Sequence, residues 1–129
     1  MKAVFADTFY WAALTSTNDA AHERALALSR SFAPRQIVTI DEVLCEYLAF
    51  FAEAGAHVRQ EASRNVGEIL DDSCIRVFPQ SRQSFIAGLQ LYRARSDKAY
   101  SLVDCKGITD VLTNDRHFEQ EGFRAMFRE

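Results

Sequence analysis

Short apolar runs alternate along this chain with longer stretches of helical spacing, and that alternation leaves few folds open. Lys2 to Ala6 (KAVFA), Gln36 to Ile40 (QIVTI), Cys74 to Phe78 (CIRVF) and Val111 to Thr113 (VLT) read as four strands. Apolar runs of this kind suit strands buried on both faces, as in a parallel sheet. Between the strands, Asn18 or Asp19 caps a helix running to about Phe32, stopped by Pro34. Asp41 caps an apolar helix, DEVLCEYLAFFAEAG, closed by Gly55. A more polar helix covers about His57 to Leu70, and Ser81 to Arg95 carries Phe85, Leu89 and Tyr92 near i, i+4, i+7. The pattern predicts a three-layer α/β/α sandwich around a central, mainly parallel sheet. At 129 residues there is room for one domain, spanning 1–129.

In such sheets ligands gather at the carboxyl ends of the strands. Asp7 follows the first strand and Asp115 follows the fourth. Glu46 stands at the edge of an apolar arc formed by Val43, Leu44, Tyr47, Leu48, Phe50 and Phe51, with Glu42 and Glu53 further round on the expected solvent side. Taken singly, each acid has a plain structural role: Asp7 or Thr8 as a helix cap, Asp115 as a turn residue, Glu46 as a boundary residue reaching solvent or an arginine. Taken together with Asp104, they would bring several carboxylates to one edge, where they repel and desolvate poorly. A hard cation such as Mg²⁺ or Mn²⁺ resolves that conflict, because it prefers oxygen ligands.

Other features narrow the function classes. The net charge is −3 and there is no Lys/Arg tail, so general electrostatic adhesion to nucleic acid is not indicated. Three cysteines without a CxxC pair signal neither a disulfide framework nor a zinc site, and fit a reducing compartment. MKAVFADTFYW lacks the marks of a signal peptide, and no run approaches the roughly 20 apolar residues of a membrane span. The expected location is cytoplasmic, with no membrane partner. His22, His57 and His117 lack metal-pair spacing. Cys45 and Cys105 are expected in the core, and Phe9, Tyr10 and Trp11 in the core or a dimer interface. Arg93, Arg95, Lys98 and Arg116 read either as a basic rim for RNA phosphates or as solvated helix ends.

VFADTFYWAAL, VTIDEVLCEYLAFF, SDKAYSLVDC and ITDVLTNDRHFEQEGF follow one another in the chain. In this order they resemble the successive motifs of PIN-domain proteins, especially VapC-type toxins of bacterial toxin–antitoxin pairs. The most specific is T-x-D-x-x-F with a following Gly-Phe, here Thr113, Asp115, Phe118, Gly122 and Phe123. The resemblance implies a metal-dependent endoribonuclease using Mg²⁺ or Mn²⁺. It maps the metal-binding and catalytic acids onto Asp7, Glu46, Asp104 and Asp115, with Asp97 as an accessory and Thr8 and Thr113 beside the acids. RNA substrate, a homodimer and a cognate antitoxin protein are the partners it implies.

One stretch departs from the family pattern. Only CKGITDVLTN separates Asp104 from Asp115. A helix ended by Gly107 would descend about 5 Å, whereas the extended return to Asp115 would climb about 20 Å. Those legs do not close at one level. Either about ten residues of helix are missing, or the neighbourhood is rearranged by unwinding, strand loss or exchange with a second chain. Asp104 is therefore expected to be displaced from the pocket, and the alternative function is a catalytically impaired PIN-like binding or dimerisation module.

Overall fold

The computed structural model describes residues 3–31, 36–96 and 100–114. Its elements run β1 (Ala3–Phe5), α1 (Thr8–Thr15), α2 (His22–Ser31), β2 (Gln36–Ile40), α3 (Asp41–Phe50), α4 (Ala56–Asp71), β3 (Ile75–Phe78), α5 (Arg82–Ala94) and α6 (Leu102–Asn114). The three strands form one sheet in the order β1-β2-β3, both pairings parallel. Phe5 lies opposite Val38, and Ile40 opposite Phe78.

The chain steps across this sheet in one direction. Right-handed crossovers therefore place the helices between strands on one face. There α1 packs on α2 and α3, α3 on α4 and β2, and α4 on β3. α5 and α6 pack on each other, and α6 returns to β1 and β2. Burial follows this layering: the successive residues Val4, Phe5 and Ala6, and again Val38, Thr39 and Ile40, are all buried, so both faces of the sheet are covered. Tyr10, Tyr47 and Val43 complete the core on the α1/α3 side, with Tyr47 and Phe51 packed edge to face at 5.3 Å.

Several local expectations change. A helix outside the strand–helix pattern follows Asp7 directly: α1 starts at Thr8. Its sequence has no polar face, because Tyr10 to Ala13 are all buried, and so it carries no 3.6-residue signal. α3 ends at Phe50, not at Gly55, which instead precedes α4 with φ +97°. Leu48 and Phe50, expected inside, are exposed. Asp41 does not cap α3; it is the first helical residue, and its carboxylate accepts a hydrogen bond from the Gln80 backbone N–H at 3.0 Å.

The largest correction concerns the carboxyl-terminal stretch. Val111 to Thr113 form no strand, and Gly107 ends no helix; both lie inside α6. A reciprocal pair starts this helix. Ser101 Oγ accepts from the Asp104 N–H at 3.0 Å, and Asp104 Oδ2 accepts from the Ser101 N–H at 2.9 Å. Gly107 is there for packing, since a Cβ at that position would overlap the Phe5 ring. Ten residues are too few for helix, turn and strand, but they extend a started helix at one hydrogen bond per residue.

Candidate active site

β1 delivers Asp7 to the carboxyl edge of the sheet, and the backbone there is pinned from β2. The Ala6 N–H donates to the Val38 carbonyl at 2.8 Å, and the Thr39 hydroxyl donates to the Ala6 carbonyl at 2.9 Å. Thr39 is fully buried. Asp7 then caps α1, its Oδ1 accepting from the Tyr10 N–H at 3.2 Å. The next residue, Thr8, reaches across to α3. Its hydroxyl donates to Glu46 Oε2 at 2.8 Å and lies 3.5 Å from the Val43 carbonyl. Glu46, distant in sequence, is thus tied to the residue that directly follows Asp7.

Asp104 arrives by a different route. Lys106 and Gly107 fasten α6 to the same edge, Lys106 by an ion pair with Glu42 in the first turn of α3 and Gly107 against Phe5, the last residue of β1. Asp104 precedes them on the same helix. Glu42 is therefore not the solvent-facing residue the helical wheel suggests; only 14% of its side chain is accessible. Cys45 is exposed and Cys105 buried, so only the latter belongs to the core. Thr113 falls in the last turn of α6. Asp97, Asp115 and Arg116 lie outside the described residues, as do Lys98 and His117. Arg93 and Arg95, at the end of α5, are exposed.

Electrostatically the edge is less frustrated than a bare set of acids would be. Asp7 and Asp104 sit at helix N-termini, where backbone N–H groups and the helix dipole favour negative charge. Asp41 and Glu42 occupy the first turn of α3. Lys106 supplies a buried positive charge. The donors presented are carboxylate and hydroxyl oxygens, the kind a hard cation takes. Among the described residues, however, no group of three His, Cys, Asp or Glu is arranged to hold a metal ion. Sequence reasoning missed Thr39 and Lys106. A threonine in a β-branched run and a lysine after a cysteine carry no periodic signal.

A cleft of about 360 Å³ lies elsewhere, lined among others by Trp11, Thr15, Tyr47, Asn65 and Ile69 and bordered by Glu61, Glu68 and Asp72. Asp72 and Ile75 place it near the start of β3, at the opposite end of the sheet from Asp7. The contact between Thr8 and Glu46 lies at the other end.

Neither protein-family models nor curated proteins match the chain. A solved structure does: the VapC20 toxin of Mycobacterium tuberculosis, described as cleaving the sarcin–ricin loop, superposes with a TM-score of 0.72 at 23% identity, over 86% of this chain and 82% of that one. The chain has the VapC fold. This agrees with the α/β/α sandwich read from strand–helix alternation and with the PIN-like fold that the motif resemblance implies. In this VapC-fold chain, Thr8 links the end of β1 to Glu46 on α3, and Lys106 and Gly107 hold α6, two and three residues after Asp104, against α3 and β1. Among the described residues, no helix is long and apolar enough to cross a membrane.

Proposed function

We propose that this chain is a metal-dependent endoribonuclease, the toxin of a toxin–antitoxin pair, with its active site at the carboxyl edge of the sheet. One observation carries the proposal: Thr8 joins the Asp7 cap to Glu46 across α1 and α3. The fold shared with a loop-cleaving VapC toxin supports it. Asp7, Glu46, Asp104 and Asp115 would hold Mg²⁺ or Mn²⁺, which when bound lowers the pKa of a water and offsets charge on a leaving oxygen. The chain's own contribution is positional. Asp7 is fixed by Thr39 and by the start of α1, and Glu46 is oriented by Thr8. Asp97, Thr113 and Arg116 are proposed to contact the substrate. A cytoplasmic homodimer neutralised by an antitoxin completes the reading. The carboxylates bordering the Trp11 cleft suit a basic segment of such a partner.

The second reading, an impaired binding or dimerisation module, is favoured by one observation: the Asp104 carboxylate already accepts from the Ser101 N–H. Asp7→Asn decides between the two. Asparagine keeps the cap but weakens metal ligation. The nuclease proposal expects cleavage of RNA that requires Mg²⁺ or Mn²⁺, stops with chelator and is lost in Asp7→Asn, with thermal stability retained. Asp7→Ala, which also removes the cap, should lose about 1 kcal/mol of stability as well. Absence of cleavage by the unaltered chain in either metal selects the second reading.

A further inference from the structure

We infer that the Glu42–Lys106 ion pair is a positioning device for the acidic edge, setting the helix that carries Asp104 in register with the helix that carries Glu46. Lys106 is only 3% exposed, although it belongs to the helix that takes the place of the expected strand. Its surroundings fit its length. Gly88 on α5 lacks the Cβ that would come within 2.5 Å of Lys106 Cγ, and the Phe85 ring centroid lies 5.7 Å from Nζ. The stem thus crosses α5 to reach Glu42 on α3, and the ammonium group is favoured by an aromatic face.

The pair links the two helices at matched points. Glu42 and Glu46 are four residues apart on α3, so they lie on one side, one turn from each other. Asp104 lies two residues before Lys106 on α6, about 3 Å along the axis. An apolar pair could cover the same area, but it would tolerate sliding. A buried ion pair does not: a one-turn slip would pull the two charges apart inside the protein. The pair also neutralises Glu42, which would otherwise be a further carboxylate one turn from Glu46.

This rests on the nuclease proposal, and the test separates the two. Mn²⁺ affinity, RNA-cleavage constants and melting temperature are measured for the unaltered chain, for Glu42→Gln, and for the double variant Glu42→Gln with Lys106→Met. The double variant removes both charges of the pair together and is expected to fold. Its Mn²⁺ dissociation constant should rise about tenfold, in the range seen when groups behind metal ligands are removed. The turnover number should fall by a similar factor with KM unchanged. Glu42→Gln alone, still able to accept from the ammonium group, should show a smaller change in the same direction. Unchanged Mn²⁺ affinity and turnover in both variants, beside a normal unaltered chain, would overturn the positioning role and leave the pair structural. An unaltered chain that neither binds Mn²⁺ nor cleaves RNA removes the nuclease proposal, and this inference with it.

Discussion

Thr39 shows how one side chain governs a site it does not join. It is fully buried in β2, and its hydroxyl is given to the Ala6 carbonyl, one residue before Asp7. Replacement by valine conserves shape but leaves that carbonyl without the bond. Thr39→Val should lower stability by about 1–2 kcal/mol, read from urea unfolding, and lower RNA cleavage by more than the unfolded fraction explains. An unchanged urea midpoint would show that the bond contributes nothing. Thr8 works from the other side, and Glu46 shows why. Left alone on an exposed turn it would sample many rotamers, whereas the 2.8 Å bond to Thr8 selects one. Thr39, unlike Thr8, is inconspicuous in the sequence, one β-branched residue within a β-branched run.

At the scale of elements, α6 decides how the shortened stretch is accommodated. Helix, turn and strand do not all fit in the ten residues after Asp104, and the chain resolves this by carrying the helix through Gly107 to Asn114. Glycine costs a helix about 1 kcal/mol relative to alanine, but here the missing Cβ allows α6 to approach Phe5. Gly67, in α4, has open space instead. The two positions should respond oppositely to alanine. Gly67→Ala should raise stability by about 0.5–1 kcal/mol, and Gly107→Ala should lower it by about 1–3 kcal/mol through overpacking. Denaturant midpoints of the two variants check both signs; a stabilising Gly107→Ala would mean that α6 does not lie on Phe5. α1 is the converse case, a helix hidden by its own burial. A segment apolar on every side has no periodicity to read, and only its Asp7 cap hinted at a start.

For the molecule as a whole, the core is assembled around aromatic residues from α1 and α3, and its pH response follows. Burial pushes the Tyr10 hydroxyl from 10.0 up to about 12, because the phenolate is poorly solvated inside. Below pH 10 the group is protonated in both folded and unfolded chains and adds no pH dependence. Between about 10 and 12 the unfolded chain ionises first, so it binds fewer protons and stability falls as pH rises. Tyr10→Phe should flatten the alkaline limb of a urea-stability profile over that window. A limb that keeps its slope would assign it to other groups. The acidic edge is organised at the same scale: helix N-termini and Lys106 offset much of the charge that strands and helices bring together.

Sequence by itself determined the layer architecture, because buried parallel strands and amphipathic helices have different periods and alternate visibly. It also determined that Asp7 would stand at a strand's carboxyl end, since the apolar run stops there. Only the tertiary structure decided that Thr8 meets Glu46, that Glu42 is paired and largely buried, and that the stretch following Asp104 is helical. Each of these depends on a neighbour remote in the chain, Glu46 for Thr8, Lys106 for Glu42 and Phe5 for Gly107, and local pattern holds no information about which distant side chain will fill a given space.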